Sequence, residues 1–407
     1  MTDASAPMPA TQIQRPPGRS WPPRLGLLGG GQLAKMLAQA ASQLGCQVWI
    51  VEKDPDCPAS AVAARAWVAP WDDLPTLLEV ARACDVVSLE NEFVPVESLE
   101  AMEQQGCTVR PGSATFRRVR DKWTQKQTLA QAGLPVPTFA EVNRPEDVFI
   151  FAHTHGWPVL LKARCHGYDG KGNATVRGPE ELEPAWQRLG GHQGRRLFVE
   201  SFCRFERELA VIVTRAANGQ CVVYPVVETV QKNHVCHTVA APAPVDASVA
   251  RQAAEIARAA IECIDGVGSF GVELFLESDG RLWINELAPR VHNSGHYTIE
   301  ACECSQFENH VRAVLGWPLG SPRMRTAAAA MVNLLGRCQG PGQPIGLEKA
   351  LAVPGAHVHI YGKRICAPGR KMGHVTALAE TVEEALARAK RAAEAITFGE
   401  PAMSCQG

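Results

Sequence analysis

Glu273 and Glu286 are the side chains in this sequence whose surroundings most directly imply chemistry. Glu273 lies in the run Gly271-Val272-Glu273-Leu274-Phe275, and Glu286 ends Leu282-Trp283-Ile284-Asn285-Glu286, with Glu277-Ser278-Asp279-Gly280 between. Two apolar runs around a glycine turn predict a β-hairpin. In it the two carboxylates can lie on one face of neighbouring strands and share a hard cation. Mg²⁺ takes such a set: one or two carboxylates, an amide oxygen, and substrate phosphates for the remaining positions. The plainer alternatives are a solvent-facing pair of glutamates and a pair used for proton transfer.

A dense set of donors follows at once, in Ala288-Pro289-Arg290-Val291-His292-Asn293-Ser294-Gly295-His296. Arg290 can grip a phosphate or carboxyphosphate bidentately, and His292, Asn293, Ser294 and His296 offer neutral hydrogen-bond partners. Upstream, an apolar strand ending at Lys162 leads into His166-Gly167-Tyr168-Asp169-Gly170-Lys171-Gly172. Its three glycines allow a loop to close over polyphosphate with backbone amides and Lys171 facing oxygens; an ordinary hairpin tip is the alternative. It is not a P-loop, because no G-K-[ST] opens a helix.

Two further motifs offer anion sites. Gly29-Gly30-Gly31-Gln32-Leu33-Ala34 satisfies G-x-G-x-x-G/A, with Glu52 and Asp54 about 20 residues on, so it fits a dinucleotide or any simpler phosphate at a helix N-terminus. Pro368-Gly369-Arg370-Lys371-Met372-Gly373-His374 reads as a glycine-bracketed basic turn, either gripping a phosphomonoester or simply solvated.

These motifs need positioning elements. Residues 1–24 carry several prolines and no apolar periodicity, so a disordered tail is expected. Strands at Leu25–Leu28, Cys46–Glu52 and Asp85–Leu89 alternate with helical stretches, which predicts a parallel α/β domain. A polar helix spans Asp121–Gln131, and Pro135 and Pro137 then mark a junction. Beyond it, strands at Pro158–Lys162, Leu197–Glu200, Glu208–Thr214, Cys221–Val227, Gly271–Leu276 and Leu282–Glu286 predict an α+β domain on antiparallel sheet. A Gly- and Pro-rich stretch, Trp317–Pro322, sets off a final unit with strands near Met331 and His357 and a helix at Val382–Ala395.

Composition narrows the class. The 407 residues exceed one ordinary core, and 46% hydrophobic with 20% charged content is that of a soluble globular protein. Lys plus Arg total 41 against 42 for Asp plus Glu, so no general field favours nucleic acid or an anionic membrane. The 14 cysteines are scattered and lack doubled C-x-x-C spacing, which predicts free thiols in a reducing cytoplasm rather than disulfides or zinc. The longest apolar stretch, Ala327–Leu335, falls short of the roughly 20 residues a membrane helix needs.

Together these motifs resemble the N5-carboxyaminoimidazole ribonucleotide synthases, biotin-independent ATP-grasp carboxylases of purine biosynthesis. The likeness covers nearly everything after the tail, and its strongest marker is Asn285-Glu286-Leu287-Ala288-Pro289-Arg290-Val291-His292-Asn293-Ser294-Gly295-His296. Supporting it are Gly31-Gln32-Leu33 with Met36, Glu90 and Glu92 before Val94-Pro95, Thr124-Gln125-Lys126, the Gly167–Gly172 loop, and Arg370-Lys371 with Gly373-His374. The resemblance implies an ATP-grasp fold, α/β and α+β. A Rossmann-like pre-ATP-grasp domain would span 25–120, an ATP-grasp domain 121–320 with a mobile lid at about 140–205, and a small C-terminal domain 321–407. It further implies a cytoplasmic, homodimeric ligase that makes N5-carboxyaminoimidazole ribonucleotide from ATP, bicarbonate and 5-aminoimidazole ribonucleotide through carboxyphosphate.

Residue by residue, the resemblance places ATP phosphates on Lys162 and on Gly167, Tyr168, Asp169, Gly170, Lys171, Gly172 and Asn173. Adenine would be framed by Glu200, Ser201, Phe202 and Cys203, and the ribose hydroxyls by Glu208. Magnesium would sit on Glu273 and Glu286 with Asn285 beside them. The ribonucleotide would meet Gly31, Gln32, Leu33, Glu90, Glu92, His292, Asn293, Ser294, Arg370 and Lys371, with Asp169, Arg290 and Lys371 in direct catalytic roles. Two nucleotide-side residues depart from the family pattern: Lys122 stands where arginine is frequent, and Gln231 where histidine is expected.

Overall fold

The computed structural model describes residues 21–165, 167, 172–232 and 235–399. The first unit comprises β1 (Arg24–Leu28), α1 (Gln32–Gln43), β2 (Gln47–Glu52), β3 (Arg65–Val68), α2 (Leu74–Ala83), β4 (Val86–Leu89), α3 (Val96–Gln104) and α4 (Ser113–Arg120). Its sheet has the order β3-β2-β1-β4, and all its pairings are parallel. Leu25, Leu27, Leu28, Val86, Val87 and Leu89 are all buried, as expected for interior strands covered on both faces. The edge strand β3 was not legible in the sequence, because Arg65-Ala66-Trp67-Val68 is short and mostly exposed. Of the expected tail, residues 1–20 lie outside the described ones, and Arg24 already belongs to β1, opposite Gln47.

α5 (Lys122–Gln131) leads into a four-stranded antiparallel layer made by β5 (Phe139–Val142), α6 (Pro145–His155), β6 (Val159–Ala163), β7 (Asn173–Val176), α7 (Pro179–Arg188) and β8 (Leu197–Ser201). The strand order is β5-β8-β6-β7. Asp121 caps α5 by accepting from the Trp123 and Thr124 amides at 2.9 and 3.2 Å, and its carboxylate pairs with Arg164 at 2.8 Å. Asp121→Ala removes both contacts from the helix that carries Lys122 and Lys126. We expect it to cost about 1–2 kcal/mol, read by calorimetry as a melting temperature lower by a few degrees.

The large sheet is built from β9 (Phe205–Arg215), β10 (Cys221–Val223), β11 (Val227–Lys232), β12 (Val235–Ala241), α8 (Ala247–Cys263), β13 (Gly268–Glu277), β14 (Leu282–Ala288), α9 (Thr298–Ala301) and α10 (Gln306–Leu315). The chain continues through β15 (Ala328–Leu335), β16 (Gly340–Pro341), α11 (Leu347–Leu351), β17 (Ala356–Ile360), β18 (Ile365–Cys366), β19 (Lys371–Ala379) and α12 (Val382–Glu394). The order is β14-β13-β9-β11-β12-β15-β19-β17, with β10 on β9 and β16 and β18 forming a separate pair. The final unit therefore shares a sheet with the central one: Thr238–Ala241 pair antiparallel with Ala329–Val332 across the expected border. α8 buries Ala253, Ala257, Ala260 and Ile261, an i, i+4, i+7, i+8 stripe that packs on β9 and β13.

Two expectations are corrected. The single strand expected over Cys221–Val227 is broken at Tyr224-Pro225, where proline offers no ladder donor and the buried Tyr224 hydroxyl donates instead to the Cys304 carbonyl at 2.9 Å. The basic segment Pro368–His374 is a turn only through Arg370; Lys371 to His374 enter β19 and pair with β15. Alternation within that strand sends successive side chains to opposite faces, which a turn would not do.

Candidate active site

The hairpin β13–β14 sets Glu273 directly opposite Glu286, and the ladder slips between Glu273 and Leu274, which faces Ile284. Asn285 is thus the extra residue of a β-bulge. A bulge bends the strand and re-aims a side chain, and here the Asn285 amide donates to Glu273 Oε2 at 3.2 Å. The hairpin thus brings carboxylate, amide and carboxylate together across β13 and β14. Burial and the facing Glu286 charge push the Glu273 carboxyl up to about 7. Burial would raise Glu286 too, but its ion pair with Lys122 overrides this and lowers it. Among the described residues no three His, Cys, Asp or Glu side chains close around a cation. Two carboxylates and an amide oxygen with phosphate oxygens to complete the shell fit Mg²⁺ instead.

Lys162 projects from β6 to Asn285 Oδ1 at 3.2 Å and to Glu200 Oε2 at 2.7 Å. Of the loop that follows, Gly167 and Gly172 are described, and His166, Tyr168, Asp169, Gly170 and Lys171 lie outside the described residues. A Cβ on Gly172 would stand 2.4 Å from the Gly167 Cα, so the two strands of the loop's neck touch backbone to backbone and only glycine fits. Asn173 begins β7 opposite Lys162. The Glu200 carboxylate faces Lys126 and Lys162, and Ser201, Phe202 and Cys203 follow at the end of β8. Phe202 is 39% exposed there, while the Cys203 thiol points to Glu277. Gln231 hydrogen-bonds the Glu208 carboxylate, whose pKa burial raises.

In the first unit, β1 runs on to β2 while β4 pairs on its other side, so Gly29–Gly31 and Glu90–Glu92 lie at the carboxyl ends of strands flanking the switch point. This is where open α/β sheets bind ligands. The Glu90 carboxylate accepts from the Gly31 and Ala34 amides at 3.0 and 3.2 Å, and Glu52 accepts from Gly30 at 2.9 Å. The amides a dinucleotide pyrophosphate would need are therefore held by two carboxylates of the chain itself. Gln32 and Leu33 follow in the first turn of α1.

Burial pushes the Glu90 carboxyl up to about 7, from an ordinary value of 4.5. The folded chain then holds a proton that the unfolded chain releases near 4.5, so stability falls as pH rises between these values and is level above them. Glu90→Gln lacks this dependence. We expect its stability relative to wild type to grow across that window by at most about 3 kcal/mol, measured as denaturation midpoints at pH 5 and pH 8.

Arg290 joins this unit to the large sheet, with its Nε and Nη2 donating to the two Glu92 oxygens at 2.7 and 3.2 Å. Burial would raise Glu92, but the guanidinium holds it at about 2. His292 Nε2 lies 3.4 Å from Glu273 Oε1 and its Nδ1 is 2.8 Å from the Ser294 hydroxyl. Burial, then the nearby Arg290 and Lys371 cations, lower His292 to about 3, so it is neutral near pH 7. Lys371 is thus brought to the same centre, whereas Arg370 is exposed and spends a donor on the Ile365 carbonyl at 2.9 Å. The Asn293 side chain exchanges two amide bonds with Asn333, at 3.0 and 2.6 Å. It anchors the loop rather than pointing openly at a ligand.

The sequence reading missed Gln306, which opens α10 and clamps the loop by accepting from the His292 amide at 2.9 Å and donating to its carbonyl at 2.7 Å. A buried glutamine just inside a serine-capped helix carries no sequence signal of its own. Glu52 and Lys126 were visible only as parts of motifs.

Comparison with known proteins agrees with this layout. The ribonucleotide synthetase preATP-grasp domain matches residues 23–119, the ATP-grasp domain 127–307, and the phosphoribosylaminoimidazole carboxylase C-terminal domain 329–388. The N5-carboxyaminoimidazole ribonucleotide synthase of Synechococcus elongatus is 43% identical over 353 residues, covering 86% of this chain and 88% of that one. The crystal structure of N5-carboxyaminoimidazole ribonucleotide synthetase from Thermotoga maritima superposes with a TM-score of 0.83 at 38% identity, covering 93% of this chain and 100% of that one. The Aspergillus clavatus N5-carboxyaminoimidazole synthase, solved with ADP and 5-aminoimidazole ribonucleotide, gives 0.84 at 34% identity, covering 91% and 98%.

Proposed function

We infer the function from one premise: this chain belongs to the N5-carboxyaminoimidazole ribonucleotide synthase family of ATP-grasp ligases. It is a carbon–nitrogen ligase of purine biosynthesis that couples ATP hydrolysis to carboxylation of 5-aminoimidazole ribonucleotide by bicarbonate. The observation that carries the reading is the in-register Glu273–Glu286 pair with Asn285 in its bulge, beside Lys162 and the Arg290 loop.

Bicarbonate attacks the γ-phosphorus of ATP and ADP leaves; the carboxyphosphate so formed breaks down to CO₂ and phosphate, and the ribonucleotide amine adds to the carbon, releasing a proton. Lys162 and Arg290 offset charge on the transferred phosphoryl and carboxyl oxygens, which is where preorganised donors accelerate most. Glu273 and Glu286, with Asn285 beside them, would hold magnesium, which would supply charge neutralisation for the transferred phosphoryl group. Neutral His292 and Ser294 orient the acceptor, Lys371 adds a cation at the centre, and Asp169 takes the released proton. Gly31, Gln32, Leu33, Glu90 and Glu92 receive the ribonucleotide at the switch point. Gly167–Asn173, Glu200–Cys203, Glu208, Gln231 and Lys122 serve the nucleotide, and Arg370 the ribonucleotide.

The working boundaries are 25–120, 121–320 and 321–407, with a lid over about 140–205. A cytoplasmic homodimer is the expected form, and among the described residues no helix is long and apolar enough to cross a membrane. The test is phosphate release from Mg·ATP. It should require 5-aminoimidazole ribonucleotide; release indifferent to the ribonucleotide would contradict the reading.

A further inference from the structure

We propose that Lys126 is a positioning residue of the ATP site, which holds the Glu200 carboxylate so that Lys162 stays turned to the nucleotide phosphates, and which ties the β5–β8 layer to the large sheet. The proposal rests on the ATP-binding reading above.

Lys126 lies midway along α5 with 2% of its side chain exposed. An ammonium so buried is strongly unfavourable unless paired and hydrogen-bonded. It donates to the Ile284 carbonyl at 2.8 Å and lies 3.0 Å from Glu200 Oε1. The other Glu200 oxygen takes Lys162 at 2.7 Å, and Lys162 reaches Asn285 Oδ1 at 3.2 Å. The chain of contacts therefore leaves β14 at Ile284, passes through α5 and two strands of the smaller layer, and returns to β14 at Asn285.

Lys126 and Lys162 share the single Glu200 carboxylate, so Glu200 does not fully neutralise Lys162, which keeps capacity for a further anionic oxygen beside Asn285. A nucleotide phosphate can supply that oxygen. Without Lys126, Glu200 and Lys162 would close into a neutral pair, and Lys162 would be drawn away from phosphate oxygens. The direction of the shifts agrees: burial lowers Lys126 to about 8, while the two lysines overcome burial to lower Glu200.

The test is a double-mutant cycle. Mg·ATP is titrated calorimetrically into wild type, Lys126→Met, Glu200→Gln and the double variant, with hydrogen exchange followed over residues 197–201. Lys126→Met should weaken ATP binding tenfold or more in the wild-type background but less than twofold in Glu200→Gln, with faster exchange in β8 and the ribonucleotide KM within twofold. A folded Lys126→Met whose ATP affinity stays within twofold of wild type, or whose loss is equal in both backgrounds, would overturn the proposal. If Lys126→Met does not fold, Lys126→Gln, which keeps a donor for Ile284, carries the same cycle. A wild type that binds no ATP sinks the ATP reading separately, and unchanged β8 exchange in the variant then refutes the tie.

Discussion

Glu286→Gln is expected to lower ribonucleotide-dependent phosphate release by about 10²–10³-fold while the protein stays folded. Glutamine keeps the shape and a carbonyl oxygen for Lys122 but removes one of the two charges that face each other across the β13–β14 ladder. Loss of a single preorganised electrostatic contact at a transferring group costs about that much in turnover. Glu273 is pushed up to about 7 by burial and by Glu286, so neutralising Glu286 lets Glu273 ionise more readily. The variant should therefore retain weak magnesium dependence with a raised requirement for the metal. Turnover against magnesium concentration checks both features. Wild-type activity in a folded Glu286→Gln protein would remove the metal assignment.

Arg290 carries the second large effect, because it serves chemistry and architecture at once. Its fork grips Glu92 with two nitrogens, so lysine, a point charge, cannot replace it. Arg290→Lys should lower kcat/KM about 100-fold, with only a small loss of stability. Arg290→Met takes the fork from Glu92, whose side chain is 30% exposed and still feels the Lys122 charge, and should destabilise by about 1–3 kcal/mol as well. Adding Glu92→Gln to Arg290→Met should recover most of that stability and none of the activity. Calorimetry on the four proteins beside their kinetics separates the roles; an inactive but fully stable Arg290→Met would show that the Glu92 pair holds nothing together.

How much of this was legible follows from the range of the interactions. The Glu273–Glu286 pair could be read because a hairpin's partners lie close along the chain and share one turn. The bulge that turns Asn285 inward could not, since it depends on register, which no local pattern fixes here. The first parallel sheet announced itself through buried apolar strands, but β3 did not, being short and exposed. The β12–β15 pairing that fuses central and final units joins residues far apart in sequence and is invisible to composition. The basic run at Arg370-Lys371 was rightly marked as charged and wrongly as all turn, because its glycines outweighed the apolar strand that follows. The glycine motif at Gly29–Gly31 also fitted a dinucleotide site, as the less favoured reading. Only the tertiary partners Glu52 and Glu90, which occupy its amides, decide against that.

The measurement that bears most directly on the central claim is transfer of labelled carbon from bicarbonate into the ribonucleotide by the purified chain with Mg·ATP. The account predicts an acid-labile labelled product formed in step with phosphate, one for one, and absent when ATP or the ribonucleotide is left out. Phosphate release with no label in the product would contradict it, and would mean that this site activates some other acid or serves some other acceptor.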